Sequence, residues 1–521
     1  MRILMIYPNL NAEEGFNHGV ACLSGQLKAA GHDVRLMNLN EKLYPVPTAD
    51  QIVEQVRAYD PGLVCFSVQT MQYPYAVQIS RSIREALPQI PQIAGGVHAS
   101  LCLDQLIDEG YWEMIGYGEC DRMLPDLVDA LENGGQLGDI DNLALRMADG
   151  SYRVGELGPY PDLDTLAPED YEIFDLDHLL SCKNGWMSML SSRGCPYRCT
   201  YCFNHEISSL YAGQGHPRRC YLRRYPVERV IREVGQLTER HPGLETVIFD
   251  DDLFTLDTDW VERFARAYRE FGLTIPYVVN AHVQAFNDRC AKALADSPCR
   301  IVKFGVESGS DALRRGFLKR YMTNDQIAEA FELCRRFGLH GSAFLMIGMP
   351  GETAGQMNET IDLMVRVRPG RMRWSVFYPF PGTESYKLAE AAGLIDMDRF
   401  RRLDNYFVGT CIRFDPSLEL WLSKLQRVFH WYVNARIDWP AARVYREQLA
   451  AVEAADAGAW ARLRDTILPL DRQISDQLAS DGIEHYSLRF TEVTAVHSDY
   501  LKREPDRYRN QSAKAWTESM K

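Results

Sequence analysis

The chain lacks any apolar run close to the roughly 20 residues needed to cross a bilayer, so a membrane span is not expected. Its opening residues, Met1-Arg-Ile-Leu-Met-Ile-Tyr-Pro8, are too short an apolar run for an export signal and read as a first strand. It also lacks a basic excess: 57 Lys plus Arg stand against 71 Asp plus Glu, a net charge of −14. That balance argues against general nucleic-acid binding, although a local basic groove stays open. There is no internal repeat of about 20–50 residues and no low-complexity tract. Thirteen cysteines, an odd number without an export signal, point to a reducing cytoplasm and away from a disulfide framework. What remains is ordinary globular composition, 46% hydrophobic and 25% charged over 521 residues. That length suggests about three domains at roughly 150 residues each.

Residues 1–135 alternate short apolar runs with helical spacing. Strands are expected at Ile3–Tyr7, Asp33–Met37, Leu63–Val68, Gln92–Ala94 and Glu113–Ile115, with helices such as Gly19–Gly31 and Ala76–Leu87 between them. This predicts a doubly wound parallel sheet of flavodoxin-like (Rossmann-like) order, with any ligand beyond the carboxyl ends of the strands. Residues 136–185 read as a linker. It contains a β-hairpin around Asp149-Gly150 and then a stretch rich in Pro, Asp and Leu that makes kinks rather than core. From 186 to 395 alternation resumes, with strands expected at Met187–Ser191, Thr246–Phe249, Tyr277–Asn280, Ile301–Val306, Ser342–Ile347 and Arg373–Phe377. Six strand-helix units predict a partial (β/α)6 barrel with its chemistry at the carboxyl ends of the strands. Residues 396–521 read as a C-terminal α-helical region: Leu418–Asn434 and Trp439–Leu463 are expected as helices without strands, and the polar end from Ser498 is expected to fray.

The first barrel strand is followed by Ser192-Arg193-Gly194 and then Cys195-Pro-Tyr-Arg-Cys199-Thr-Tyr-Cys202, spaced C-x3-C-x2-C. Three thiolates this close can hold three corners of one inorganic cluster. An iron–sulfur cluster is normally held by four, so a fourth iron would be open to another ligand. A zinc site stays a rival if Cys220, His205 or His216 completes it, although zinc sites usually pair two short units.

This cysteine spacing, with the aromatic Tyr201 inside its last gap, resembles the radical S-adenosylmethionine superfamily. The resemblance implies a [4Fe–4S] cluster on Cys195, Cys199 and Cys202. It further implies S-adenosylmethionine on the open iron, cleaved by one electron to a 5′-deoxyadenosyl radical that removes hydrogen from a substrate. Segments at later strand ends are similar to those of the family. Asp250-Asp251-Asp252 is placed against the S-adenosylmethionine amino group, although an acidic rim is the alternative. Gly305-Val-Glu307-Ser308-Gly309 is placed against the ribose, with Lys319-Arg320 either on the carboxylate or solvated. Gly348-Met-Pro350-Gly351-Glu352-Thr353 is placed against the adenine, and Pro379-Phe-Pro-Gly-Thr383 closes the series. The contacts implied are Tyr201, Asp250, Asp251, Glu307, Ser308, Gly348 and Pro350.

A doubly wound domain ahead of such a barrel resembles the cobalamin-binding subgroup, the class B methylases. Gly95-Gly96-Val-His98-Ala-Ser100 and Gly116-Tyr-Gly118-Glu119 are the loops that the resemblance places on the cobalamin tail. The loop from Gln69 and Thr70 would cover its lower face. Ordinary glycine turns are the rival explanation. The Asp-x-His-x-x-Gly motif that supplies a cobalt ligand in many such domains is absent: Tyr7-Pro-Asn-Leu10 stands there, and His18 has the wrong context. The resemblance covers about residues 1–395. It implies a methyltransferase acting on an unactivated carbon through that radical and methylcobalamin. A non-methylating cyclisation, rearrangement or oxidation, or an enzyme that has lost cobalamin, remain as rivals. The implied partners are a small-molecule substrate and an electron donor such as flavodoxin or ferredoxin. Trp421, Phe429, Trp431 and Tyr432 are expected in a helical core, with the C-terminal helices as a lid over the barrel mouth.

Overall fold

The computed structural model describes residues 1–403, 405, 407, 409–489 and 491–497. The expected fraying from Ser498 lies outside them. The chain divides into two compact units. One is Met1–Glu245 with Phe380–Lys387; the other begins at Thr246, runs to Pro379 and resumes at Leu388.

In the first unit the strands are β1 (Arg2–Pro8), β2 (Asp33–Leu39), β3 (Leu63–Ser67), β4 (Gln92–Gly95), β5 (Met114–Gly116), β6 (Leu143–Arg146) and β7 (Tyr152–Val154). They form one sheet in the order β2-β1-β3-β4-β5-β6-β7. The first five are parallel, the flavodoxin-like order expected. Two features of the stretch 136–185 correct its description as a linker. The hairpin β6–β7 is not separate: β6 pairs antiparallel with β5 and extends the sheet. The Pro-, Asp- and Leu-rich stretch buries Leu163, Leu166, Tyr171, Phe174, Leu176, Leu179 and Leu180. Short 3-10 turns and one seven-residue helix, Leu176–Cys182, carry these side chains, so no long period announces them.

The first unit continues with β8 (Trp186–Met189), β9 (Ser192–Arg193) and β10 (Arg223–Arg224). β9 and β10 pair antiparallel, Arg193 opposite Arg223. The helix Val227–Arg240 follows because Val227, Val230, Ile231, Val234 and Leu237 recur at helical spacing and are all buried. Each such side chain contributes roughly 1.5–3 kcal/mol of burial.

The second unit is built on β11 (Thr246–Phe249), β12 (Tyr277–Ala281), β13 (Cys299–Glu307), β14 (His340–Ile347) and β15 (Arg371–Val376), all parallel. Threonines cap two of its helices with a reciprocal glutamine, Thr323 with Gln326 and Thr353 with Gln356. The C-terminal region departs from expectation. It carries two strands, β16 (Tyr486–Arg489) and β17 (Thr491–His497), and β17 runs antiparallel on the exposed edge of β15. An edge strand left open would invite pairing with another chain. The expected helix 439–463 is two, Ala442–Ala454 and Ala457–Leu463, the second capped by Asp456. Phe429, Trp431 and Tyr432 are core residues as expected. Trp374 stacks on Phe429 and donates its indole N–H to the Gln426 carbonyl, which fixes the helix Pro416–Arg436 on β15.

Candidate active site

The cysteine loop begins where β9 ends. Gly194 has φ +88°, and a Cβ there would lie 2.5 Å from the Tyr221 carbonyl oxygen, so only glycine lets the chain turn onto that backbone. Cys199 is buried, whereas Cys195 and Cys202 are half-buried. Cys202 occupies the cap position of the helix Phe203–Gly213, where the helix dipole favours a thiolate. Its Sγ lies 3.8 Å from Asn204 Nδ2, and Asn204 Oδ1 accepts from the Tyr221 hydroxyl at 2.5 Å. Tyr201 sits half-buried in the same loop. A donor set made of thiols suits iron or another soft metal rather than magnesium or calcium. Of the alternative fourth ligands for zinc, His216 Nε2 is 2.8 Å from the Leu157 carbonyl, His205 lies 3.7 Å from Glu384, and Cys220 is exposed.

In the same unit the carboxyl edge of the first sheet gathers the residues expected at cobalamin. Gln69 donates to the Tyr7 hydroxyl at 3.0 Å, and Gln72 binds the Leu10 amide and carbonyl at 3.0 and 2.7 Å, so the loops after β1 and β3 lie together. Thr70 Oγ1 lies 3.3 Å from His98 Nδ1. Gly96 has φ +99°, and a Cβ on it would strike the Val68 backbone at 2.8 Å. Ser100 joins the two glycine loops: its hydroxyl donates to the Gly96 carbonyl at 3.1 Å and accepts from the Gly118 amide at 2.9 Å. Gly95 and Gly116 end β4 and β5. His98 is buried, burial lowers its pKa to about 4, and its Nε2 has no hydrogen-bond partner among the described residues. A buried neutral imidazole nitrogen left unsatisfied beside a glycine cradle fits a polar ligand group. His18 instead pairs with Glu169 at 2.8 Å.

Gly118 and Glu119 are placed differently from the rest. A Cβ on Gly118 would meet the Tyr211 hydroxyl at 2.7 Å, and that hydroxyl accepts from the Glu119 amide at 2.8 Å. The Glu119 carboxylate pairs with Arg193 and Arg223. Sequence reasoning missed both arginines and Asp121 as parts of this arrangement. The one available signal was a cation immediately before Gly194-Cys195.

In the second unit the expected S-adenosylmethionine contacts lie at the carboxyl ends of β11, β13 and β14. Asp251 is buried and its carbonyl accepts from Asn280 Nδ2 at 3.0 Å, while Asp250 is exposed and lies 3.6 Å from Lys303. Glu307 has φ +66°, a left-handed conformation rare for a residue with a side chain. Its neighbour Ser308 is fixed: the carbonyl accepts from buried Arg314 at 2.5 Å, and the hydroxyl lies 3.3 Å from Thr360 Oγ1. Arg320 donates to the Gly305 carbonyl at 2.5 Å rather than standing solvated. His282, buried near that arginine, has its pKa lowered to about 3, first by burial and then by the positive charge. Gly348 (φ +76°) lies under Leu422, whose Cδ2 would meet a Cβ at 2.8 Å, while Pro350 is half-buried on the same loop. Leu422 thus packs the helix Pro416–Arg436 against this loop.

Two family models match the chain. Residues 189–364 match the radical SAM superfamily and residues 12–122 match the B12 binding domain. A protein of Pyrococcus horikoshii named as an uncharacterized methyltransferase is 26% identical over 76% of this chain and 84% of its own. Among solved structures, the radical S-adenosylmethionine methyltransferase TsrM from Kitasatospora setae, with cobalamin and a [4Fe–4S] cluster bound, superposes with TM-score 0.61. It is 18% identical over 75% of this chain and 78% of its own. The cobalamin-dependent radical enzyme OxsB, with aqua-cobalamin and S-adenosylmethionine bound, gives TM-score 0.66. It is 13% identical over 92% of this chain and 80% of its own. The chain thus carries a radical SAM domain and a B12 binding domain. No helix among the described residues is long and apolar enough to cross a membrane.

Proposed function

We propose that this enzyme methylates an unactivated carbon of a small molecule. The observation that carries this is the union, within one compact unit, of a three-cysteine loop and a glycine-lined edge whose His98 Nε2 is buried without a partner among the described residues. When bound, the cluster with S-adenosylmethionine supplies a hydrogen-abstracting radical and cobalamin supplies the methyl group.

The residues of this chain then have distinct tasks. Cys195, Cys199 and Cys202 hold the cluster. Tyr201, Asp250, Asp251, Glu307, Ser308, Gly348 and Pro350 bind S-adenosylmethionine, with the Glu307 carboxylate accepting from the ribose hydroxyls. Gln69, Thr70, Gly95, Gly96, His98 and Gly116 bind cobalamin, with Gly118 and Glu119 holding the second loop in place. Leu422 above Gly348 excludes water from the adenine loop. No imidazole is supplied from the loop after β1, where Tyr7-Pro-Asn-Leu10 stands. An electron donor protein such as flavodoxin or ferredoxin, in the cytoplasm, completes the system. Anaerobic turnover with methyl-labelled S-adenosylmethionine tests the proposal: product carrying the labelled methyl, with 5′-deoxyadenosine released, supports it. Product of altered mass without label would establish a cyclisation or oxidation instead.

A further inference from the structure

Resting on the cofactor assignments just given, we propose that Arg193 and Asp121 are positioning residues that couple cobalamin binding to cluster assembly. A continuous set of contacts joins the two sites. It starts at Gly96, passes through the Ser100 hydroxyl to the Gly118 amide, and runs along the chain to Glu119 and Asp121. There Arg193 takes over. Its Nη1 and Nη2 lie 2.9 and 3.0 Å from the two oxygens of Asp121, and Nη1 is 3.3 Å from Glu119. Two residues further along the chain is Cys195. Arg223, opposite Arg193 across β9–β10, binds the same Glu119 carboxylate and the Pro161 carbonyl at 2.9 Å.

The physical case is one of charge and geometry. Two guanidinium groups facing across paired strands repel each other unless an anion lies between them. Glu119 and Asp121 are those anions, and both come from the loop that follows β5. All four side chains are 15% exposed or less, so water screens the network little. A two-point arginine–carboxylate pair also fixes orientation, which a lysine would not reproduce. The loop after β5 and the loop that opens at Gly194 therefore move as one piece. Ordering either loop with its cofactor lowers the cost of ordering the other, and linkage makes the effect reciprocal.

The test uses the full chain and hydroxocobalamin as probe. Its affinity is measured by spectral titration under anaerobic conditions, before and after reconstitution of the cluster. In the wild type the cluster-loaded form should bind about fivefold more tightly or better. In Asp121→Asn and Arg193→Lys the ratio of the two affinities should fall toward one, with cluster-free affinity close to wild type. A merely structural role would lower the melting temperature and both affinities together and leave the ratio intact. That outcome, or a wild-type ratio of one, would overturn the coupling. Absence of cobalamin binding in both forms would overturn the cofactor assignment and the coupling with it.

Discussion

Glu352 accepts a hydrogen bond from the Met349 amide at 3.0 Å while its own amide donates to the Met349 carbonyl at 2.9 Å, which ties the loop after β14 into a closed turn. The other carboxyl oxygen is buried with no hydrogen-bond partner among the described residues. Burial pushes this carboxyl up to about 8, against the backbone hydrogen bonds from Met349 and Gly348 that favour ionisation. The folded state thus holds a proton that the unfolded chain, titrating near 4.5, releases. Stability from this group is complete below pH 4.5 and is lost as pH rises toward 8. Glu352→Gln should flatten that part of the melting-temperature profile and melt higher than wild type above pH 8. Parallel profiles for the two proteins would contradict this.

Gly96 should not tolerate alanine. Its φ is positive, and the added methyl group would sit 2.8 Å from the Val68 backbone, so conformation and contact both oppose a side chain. Gly96→Ala should cost about 1–3 kcal/mol and weaken cobalamin binding, read by thermal melting and spectral titration. Gly134→Ala, with φ +67° but open space around it, separates the local strain from the clash. Equal cobalamin affinity in Gly96→Ala and wild type would remove Gly96 from the site.

Much of this was legible from sequence because the signals were local. The parallel strands announced themselves as apolar runs, and the cysteine loop by its spacing. What stayed hidden was set by distant partners. Thr491–His497 became a strand because it pairs with β15 on one side and β16 on the other, and Leu163–Leu180 became core without a long element to give it a period. Glu119 looked like a ligand contact when read beside its glycines, but its carboxylate answers two arginines that lie 74 and 104 residues later.

Glu307 should matter to S-adenosylmethionine rather than to folding. Its left-handed backbone is held by Arg314 gripping the next carbonyl. Glu307→Gln should weaken S-adenosylmethionine binding about tenfold or more, in line with loss of a charged hydrogen bond worth roughly 1.5–3 kcal/mol. Calorimetric titration of the cluster-loaded protein checks this, and unchanged affinity would remove the ribose role.

In the C-terminal helices, His430 Nε2 and the Trp431 indole both lie 2.5 Å from Asp471, which also accepts from the Leu488 amide at 3.0 Å. Burial alone would raise the Asp471 pKa, but these donors hold it below the usual value. His430→Ala removes a hydrogen-bond partner from the buried Asp471 carboxylate and should cost about 1–3 kcal/mol, seen as a lower melting temperature. A melt matching wild type would show that the pair contributes nothing.

The most direct measurement is electron paramagnetic resonance of the anaerobically reconstituted, dithionite-reduced chain, with and without S-adenosylmethionine, alongside iron analysis. About four irons per chain are expected, with a reduced-cluster signal that changes when S-adenosylmethionine is added. Cys199→Ala should lose both iron and signal while its circular dichroism is kept. A chain that takes up no iron, or a signal indifferent to S-adenosylmethionine, would contradict the assignment of the three-cysteine loop.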